Sequence, residues 1–329
     1  MTVLVNLIVT LGMLYVVPAG LRLIDPVRFG RTARLWPLFA APGAVCLWLP
    51  RGAPATVLAS IYAAATLALA VRAVVPAVRA AALAVRAVVP AVRAPARSAR
   101  SLTRTGASGR GPGPAGVAVL TALAAPSVAG TALVAERAGH RLFGFDLDIL
   151  ALTVPHFHFA GFTAALVAGL VCRASAAGAL ARWAAYSVPA GTALVLLGYF
   201  IDDWAELVGA VTLTGGMWAV ALLTWRDVRP GTRGRDRFTG ALLACSAVVL
   251  VATMLLALWW ALGEATGIVH PTLTWMAATH GLGNALGFGL CSLLAWRRLT
   301  ASAARPAPSP VPAPAPACAA LPDRTEIPA

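Results

Sequence analysis

Apolar runs of 16 to 25 residues recur along the whole chain, each near the length a helix needs to cross a hydrocarbon core roughly 30 Å thick. A soluble helix shows one apolar stripe and one polar face, and no single buried core can absorb so many segments that are apolar all round. Composition agrees: 59% of residues are hydrophobic and 12% charged, with a mean hydropathy of +0.80, whereas soluble domains are about a quarter charged. The sequence therefore predicts an all-α, polytopic transmembrane bundle. Nine spans are expected, at about 3–19, 35–50, 54–71, 115–134, 149–171, 183–201, 205–225, 238–262 and 272–296. The second is short and holds Pro42 and Gly43, which suits a tilted or re-entrant segment. The first begins at Val3 with no basic residue before it, so it is read as a span and not as a cleavable signal.

The chain has 26 cationic residues, all of them Arg, and a net charge of +14. In a soluble protein that charge would suggest nucleic acid, but here it falls in connections between apolar runs, where topology accounts for it. Residues 20–34 carry four Arg, 72–114 carry eight Arg and no acid, and Arg226 to Arg237 holds five. Arg173 and Arg182 flank another connection, and Arg297 and Arg298 follow the last span. Between these lie Arg51, then Glu136 and Asp146 to Asp148, then Asp202, Asp203 and Glu206, then Glu264. Basic and acidic connections alternate, which predicts an outside N-terminus and an inside C-terminus.

The chain divides into three spans over 1–71, a basic cytoplasmic loop over 72–114, a six-helix His-containing core over 115–298 and a Pro/Ala-rich tail over 299–329, expected to be disordered. Within the loop, AVRAVVPAVRA stands at 70–80 and again at 84–94. The repeat spaces Arg72, Arg79, Arg86 and Arg93 seven apart, so that a helix would gather them in one stripe. Four Arg in a span would cost about 2.5–3.5 kcal/mol each, so the region is expected outside the bilayer, with Pro76 and Pro90 interrupting its helix. The stripe over 72–110 would suit anionic lipid; a duplication in a tolerant loop is the plainer reading.

Ionisable groups inside a bilayer are expensive and by default mark a site. His156 and His158 stand in PHFHFAGF early in the fifth span, and His280 and Asn284 in THGLGN of the ninth. His280 and Asn284, four apart, share a helix face. His156 and His158, two apart, point about 200° from each other and cannot both hold one ion on a regular helix. Both motifs fall in the outer halves of their spans, level with Asp202, Asp203, Glu206, Glu264 and His270. Together they outline a polar cavity for a solute, a proton or a metal, the metal candidates being His156, His158 and His280. The plainer alternative is hydrogen bonding across helices for the His pair and solvated loop acids for the carboxylates. Gly215, Gly216, Gly281, Gly283, Gly287 and Gly289 suit close helix packing. The five cysteines form no C-x-x-C pair and read as small packing residues.

HFHFAGF followed about 120 residues later by THGLGNALGF resembles the YndJ-like family of bacterial membrane proteins, over about 115–298. That resemblance implies location in a bacterial plasma membrane and, through a label sometimes given to the family, transport. His156-Phe157-His158 is also similar to a haem-ligand tripeptide of haem-copper oxidase subunit one, which implies a haem between His156 or His158 and His280. The chain departs from that pattern: it has five His, no adjacent His pair, and the two motifs in the opposite order.

No nucleotide-binding loop, catalytic nucleophile motif or metalloprotease helix is present, so the chain is not read as an enzyme. The expected function is transport of a small solute or proton through the His and acid cluster, without a cofactor. The alternatives are a haem- or metal-binding redox protein and a scaffold whose basic loop meets lipid or a partner.

Overall fold

The computed structural model describes residues 2–93, 112–176, 178–232 and 236–303. Among them there are nine long helices and no strand. These are α1 (Thr2–Ile24), α2 (Pro26–Cys46), α3 (Ala53–Arg93), α4 (Pro114–Arg137), α5 (Leu147–Ala174), α6 (Ala179–Gly198), α7 (Asp203–Leu223), α8 (Arg237–Thr266) and α9 (273–303). Seven of them, all except α2 and α9, are long and apolar enough to cross a membrane. The other two expected spans are helices of the same bundle. Arg28, Arg31 and Arg34 with Pro37 and Pro42 lower the hydropathy of α2, and His280, Asn284 and four glycines interrupt the apolar stretch of α9.

Helix boundaries are written locally. Asp25 caps α2 by accepting from the amides of Val27 and Arg28 at 3.0 and 2.9 Å, with Pro26 at the first helical position. Asp202 caps α7 through Ala205 N at 2.7 Å, and Asp236 caps α8 through Thr239 N at 3.1 Å. Gly267, at φ 74°, closes α8 in the left-handed conformation.

Sequence reasoning missed the persistence of α3, which runs on through Pro76 and Pro90 to Arg93. Pro76 cannot donate to the carbonyl of Arg72, four residues earlier. The guanidinium of Arg28 does so instead, its Nη2 lying 3.2 Å from Arg72 O. A neighbouring helix thus satisfies the acceptor that the proline leaves open. The rest of the basic loop, 94–111, and the tail from 304 lie outside the described residues, as do Cys318 and the side chains of Arg86 and Arg93.

At the end of the bundle that carries the N-terminus, a buried charge cluster ties α4 to the α2–α3 turn. Glu136 is 2% exposed and accepts from Arg51 Nε at 2.9 Å and from Arg137 through Nε and Nη2. Arg137 also reaches the carbonyls of Cys46 and Leu49, at 3.4 and 3.3 Å. Buried charges persist only when paired and hydrogen-bonded, and here each has both.

Helices α6 and α7 approach until glycine is required. A Cβ at Gly191 or Gly209 would run into the backbone of the facing helix, at Leu213 and Val195 respectively. At Gly198 it would meet the backbone of Glu206, so this contact seats that acid. In α9, Gly283 lies against Thr253, Gly287 against Val249 and Gly289 against Phe159. Gly216 meets Ser187 and Val188, while Gly215 faces open space. Cys245 and Cys291 are free thiols with sulfurs 3.9 Å apart between α8 and α9.

Candidate functional site

Three helices leave the α-helical register at one level of the bundle. The π-helical stretches at this level are Gly12–Val16 in α1, Phe157–Thr163 in α5, and Ala277–Gly281 with Gly283–Leu290 in α9, while a further one, Thr224–Val228, follows α7. Those of α1, α5 and α9 pack against one another. Such bulges widen a helix and re-aim its side chains, often at functional sites. In α5 the hydroxyl of Thr163 donates to His158 O, five residues back, at 2.8 Å, following the wider turn.

The two histidines of α5 part company here. His158 is fully buried and faces α1 and α3. Its Nδ1 donates to Val154 O at 2.7 Å, which leaves Nε2 to accept from the Tyr62 hydroxyl at 2.5 Å. Trp36 packs edge-on to Tyr62, with ring centres 6.1 Å apart, and donates through Nε1 to Met13 O at 3.0 Å. Gly12 leaves room for the His158 ring: a Cβ there would stand 3.0 Å from it.

His156 faces the other way, into a cavity of about 240 Å³ lined by α1, α5, α6, α7, α8 and α9. Most of the wall is apolar, with Ile8, Phe159, Leu213 and Met254 among its side chains. The polar groups that reach it are His156, Thr153, Thr192, Tyr199, Glu206, His280 and Asn284. A largely apolar cavity with a few convergent polar groups is the usual form of a small-molecule site.

Around His280 the polar atoms close a ring. Its Nδ1 donates to Thr253 O at 2.8 Å, and its Nε2 accepts from Asn284 Nδ2 at 3.1 Å. Asn284 Oδ1 in turn accepts from the Thr253 hydroxyl at 2.8 Å. Thr253, which sequence reasoning missed, makes the α8 side of the ring. His156, which also lines the cavity, makes no hydrogen bond among the described residues.

The acids fall into separate roles. Glu206 is 8% exposed, lines the cavity beside Tyr199, and has no cationic partner among the described residues. His270 Nε2 lies 3.1 Å from Glu264 Oε1, a contact that needs a proton on one of the two. The His270 ring also packs edge-on to Trp260, a cavity residue. Asp202 is spent on its helix cap. Asp203, in the first turn of α7, is exposed and does not line the cavity.

Among the described residues no group of three or more His, Cys, Asp or Glu side chains is placed to hold a metal ion. Both ring nitrogens of His158 and of His280 are engaged within the protein, and His158 lies on the far side of α5 from the cavity. The arrangement gives no support to a haem held between these histidines.

Fold and site together define a multi-pass helical membrane protein with a mostly apolar cavity between its helices. The profile of the YndJ-like protein family matches residues 7–288, and the chain belongs to that family. The match takes in most of α1, all of α2 to α8 and the His280 motif, and so adds the first three helices to the stretch from about 115 over which the sequence motifs carried the likeness. A search of curated proteins and of solved structures finds no match.

Proposed function

We propose that the cavity binds a small, largely apolar solute with one hydrogen-bonding end, and that the protein moves this solute, or a proton with it, across a bacterial plasma membrane. The observation that carries the reading is the convergence of His156, Glu206, His280 and Asn284 on one cavity within a bundle of membrane-length helices. Ionisable side chains at such depth are costly, and their common use is in solute and proton pathways. Glu206 beside Tyr199, and His156, supply groups able to take up and release a proton beside a bound molecule.

The alternation of basic and acidic connections supports placing the N-terminus and the cavity end outside, and the basic end inside. The basic stretch 72–110 would then meet anionic lipid of the inner leaflet.

Proteoliposomes enclosing a pH-indicating dye test the proton arm, under a membrane potential set by potassium and valinomycin. The expected result is proton entry that falls at least about tenfold in Glu206→Gln and His280→Ala and is unchanged in Asp203→Asn. Equal flux in Glu206→Gln and the parent would remove Glu206 from the pathway.

A further inference from the structure

A second cavity, of about 160 Å³, opens at the opposite end of the bundle, where the basic connections gather. Arg22 from α1, Arg34 from α2 and Arg297 from α9 line it, with Tyr15, Pro18 and Pro37. We propose that this cleft binds the phosphate of an anionic membrane lipid, with the three arginines on the headgroup and the prolines along the glycerol and upper acyl chain.

Placement of Arg residues at a membrane face explains positive charge there in general, but not this convergence. Five arginines of the described residues are spent on carboxylates: Arg51 and Arg137 on Glu136, Arg141 on Asp146, Arg226 on Asp227 and Arg298 on Asp236. Arg22, Arg34 and Arg297 come from three helices distant in sequence, face one cavity, and have no carboxylate partner among the described residues. Arg297 is already oriented, since its Nη1 donates to the Tyr15 hydroxyl at 3.0 Å while its remaining N–H groups stay free. Three arginines lining one hollow supply the charge and the paired N–H donors that a phosphate takes. Leu14, Pro18 and Pro37 in the same lining favour a phosphate that carries an acyl chain over inorganic phosphate.

Native mass spectrometry of the full chain in mild detergent tests this, with phosphatidylglycerol and phosphatidylcholine of equal chain length as probes. The parent is expected to retain one phosphatidylglycerol at least about tenfold more tightly than phosphatidylcholine, a difference of about 1.4 kcal/mol. R22Q/R34Q/R297Q should lose that preference. R173Q/R182Q/R237Q, which removes three unpaired arginines outside the cleft, should keep it. An equal loss in both triples would reduce the effect to general surface charge and overturn the site. Displacement of the lipid by millimolar inorganic phosphate would overturn the lipid as occupant, leaving a soluble-anion site. If the first triple fails to fold, R297K decides: it keeps the charge and loses the fork, so affinity equal to the parent's overturns the guanidinium reading. A parent without preference for phosphatidylglycerol overturns the proposal outright.

Discussion

Replacing Tyr62 by Phe removes one oxygen from the middle of the bundle and leaves the ring in place. In the native chain that hydroxyl donates to His158 Nε2 at 2.5 Å, both residues are fully buried, and Nδ1 of the same imidazole is committed to Val154 O. The imidazole cannot turn to find another donor, so Nε2 is left as a buried acceptor without a partner. Such an orphan costs about 1–3 kcal/mol. His158→Leu leaves the mirror-image defect, a buried Tyr62 hydroxyl with no acceptor, of similar size. The double variant removes both polar ends, and swapping both partners for apolar groups is far milder than removing one. The two losses should therefore fail to add, by about 1–2 kcal/mol. Equilibrium unfolding in mixed micelles reads this directly. A Tyr62→Phe protein within about 0.5 kcal/mol of the parent, or strictly additive losses, would refute the claim that this hydrogen bond ties α3 to the widened turn of α5.

Glu136→Ala should destabilise the bundle by about 3–5 kcal/mol, since it strands the buried Arg137, whereas Arg51→Ala, at a side chain 46% exposed, should cost under about 1 kcal/mol; the same unfolding assay separates them. Gly209→Ala places a methyl against the backbone of α6 and should lower stability by about 1–3 kcal/mol through overpacking, where Gly215→Ala, facing open space, should not. Asp236 is held down to about 2 from an ordinary 3.8 by the hydroxyl and amide of Thr239 and by Arg298. Its contribution is present above about pH 4 and lost as pH falls towards 2, so acid titration should loosen the α8–α9 contact across that window, and Asp236→Asn should flatten the response.

Much of the architecture could be read from residue order. Run length against bilayer thickness implied the helices, and Asp25, Asp202, Asp236 and Gly267 mark where several begin or end. The common level of His156, His280 and Glu206 followed from counting spans, because each crossing reverses direction and returns the odd-numbered spans to the same starting face. The opposed aim of His156 and His158 followed from a spacing of two.

Other features depend on partners that no local pattern names. The sequence argued that Pro76 interrupts a helix, yet Arg28, 44 residues before Arg72, supplies to the Arg72 carbonyl the bond the proline cannot, because a carbonyl in an apolar setting takes whichever donor reaches it. Tyr62 and Thr253 looked like ordinary helix residues, and their roles arise only when α3 and α8 pack against the two histidine segments. The π turns have an oblique sequence signal in Gly12, Gly161 and the glycines of α9, which permit a wider turn without requiring it. Of the five acidic and histidine groups near the outer connections, only Glu206 enters the cavity wall, since Gly198 lets α6 and α7 close until that carboxyl has nowhere else to go. Hydropathy and spacing are properties of one segment and are legible alone; the pairing of buried polar atoms is a property of two or three segments at once, and only their packing decides it.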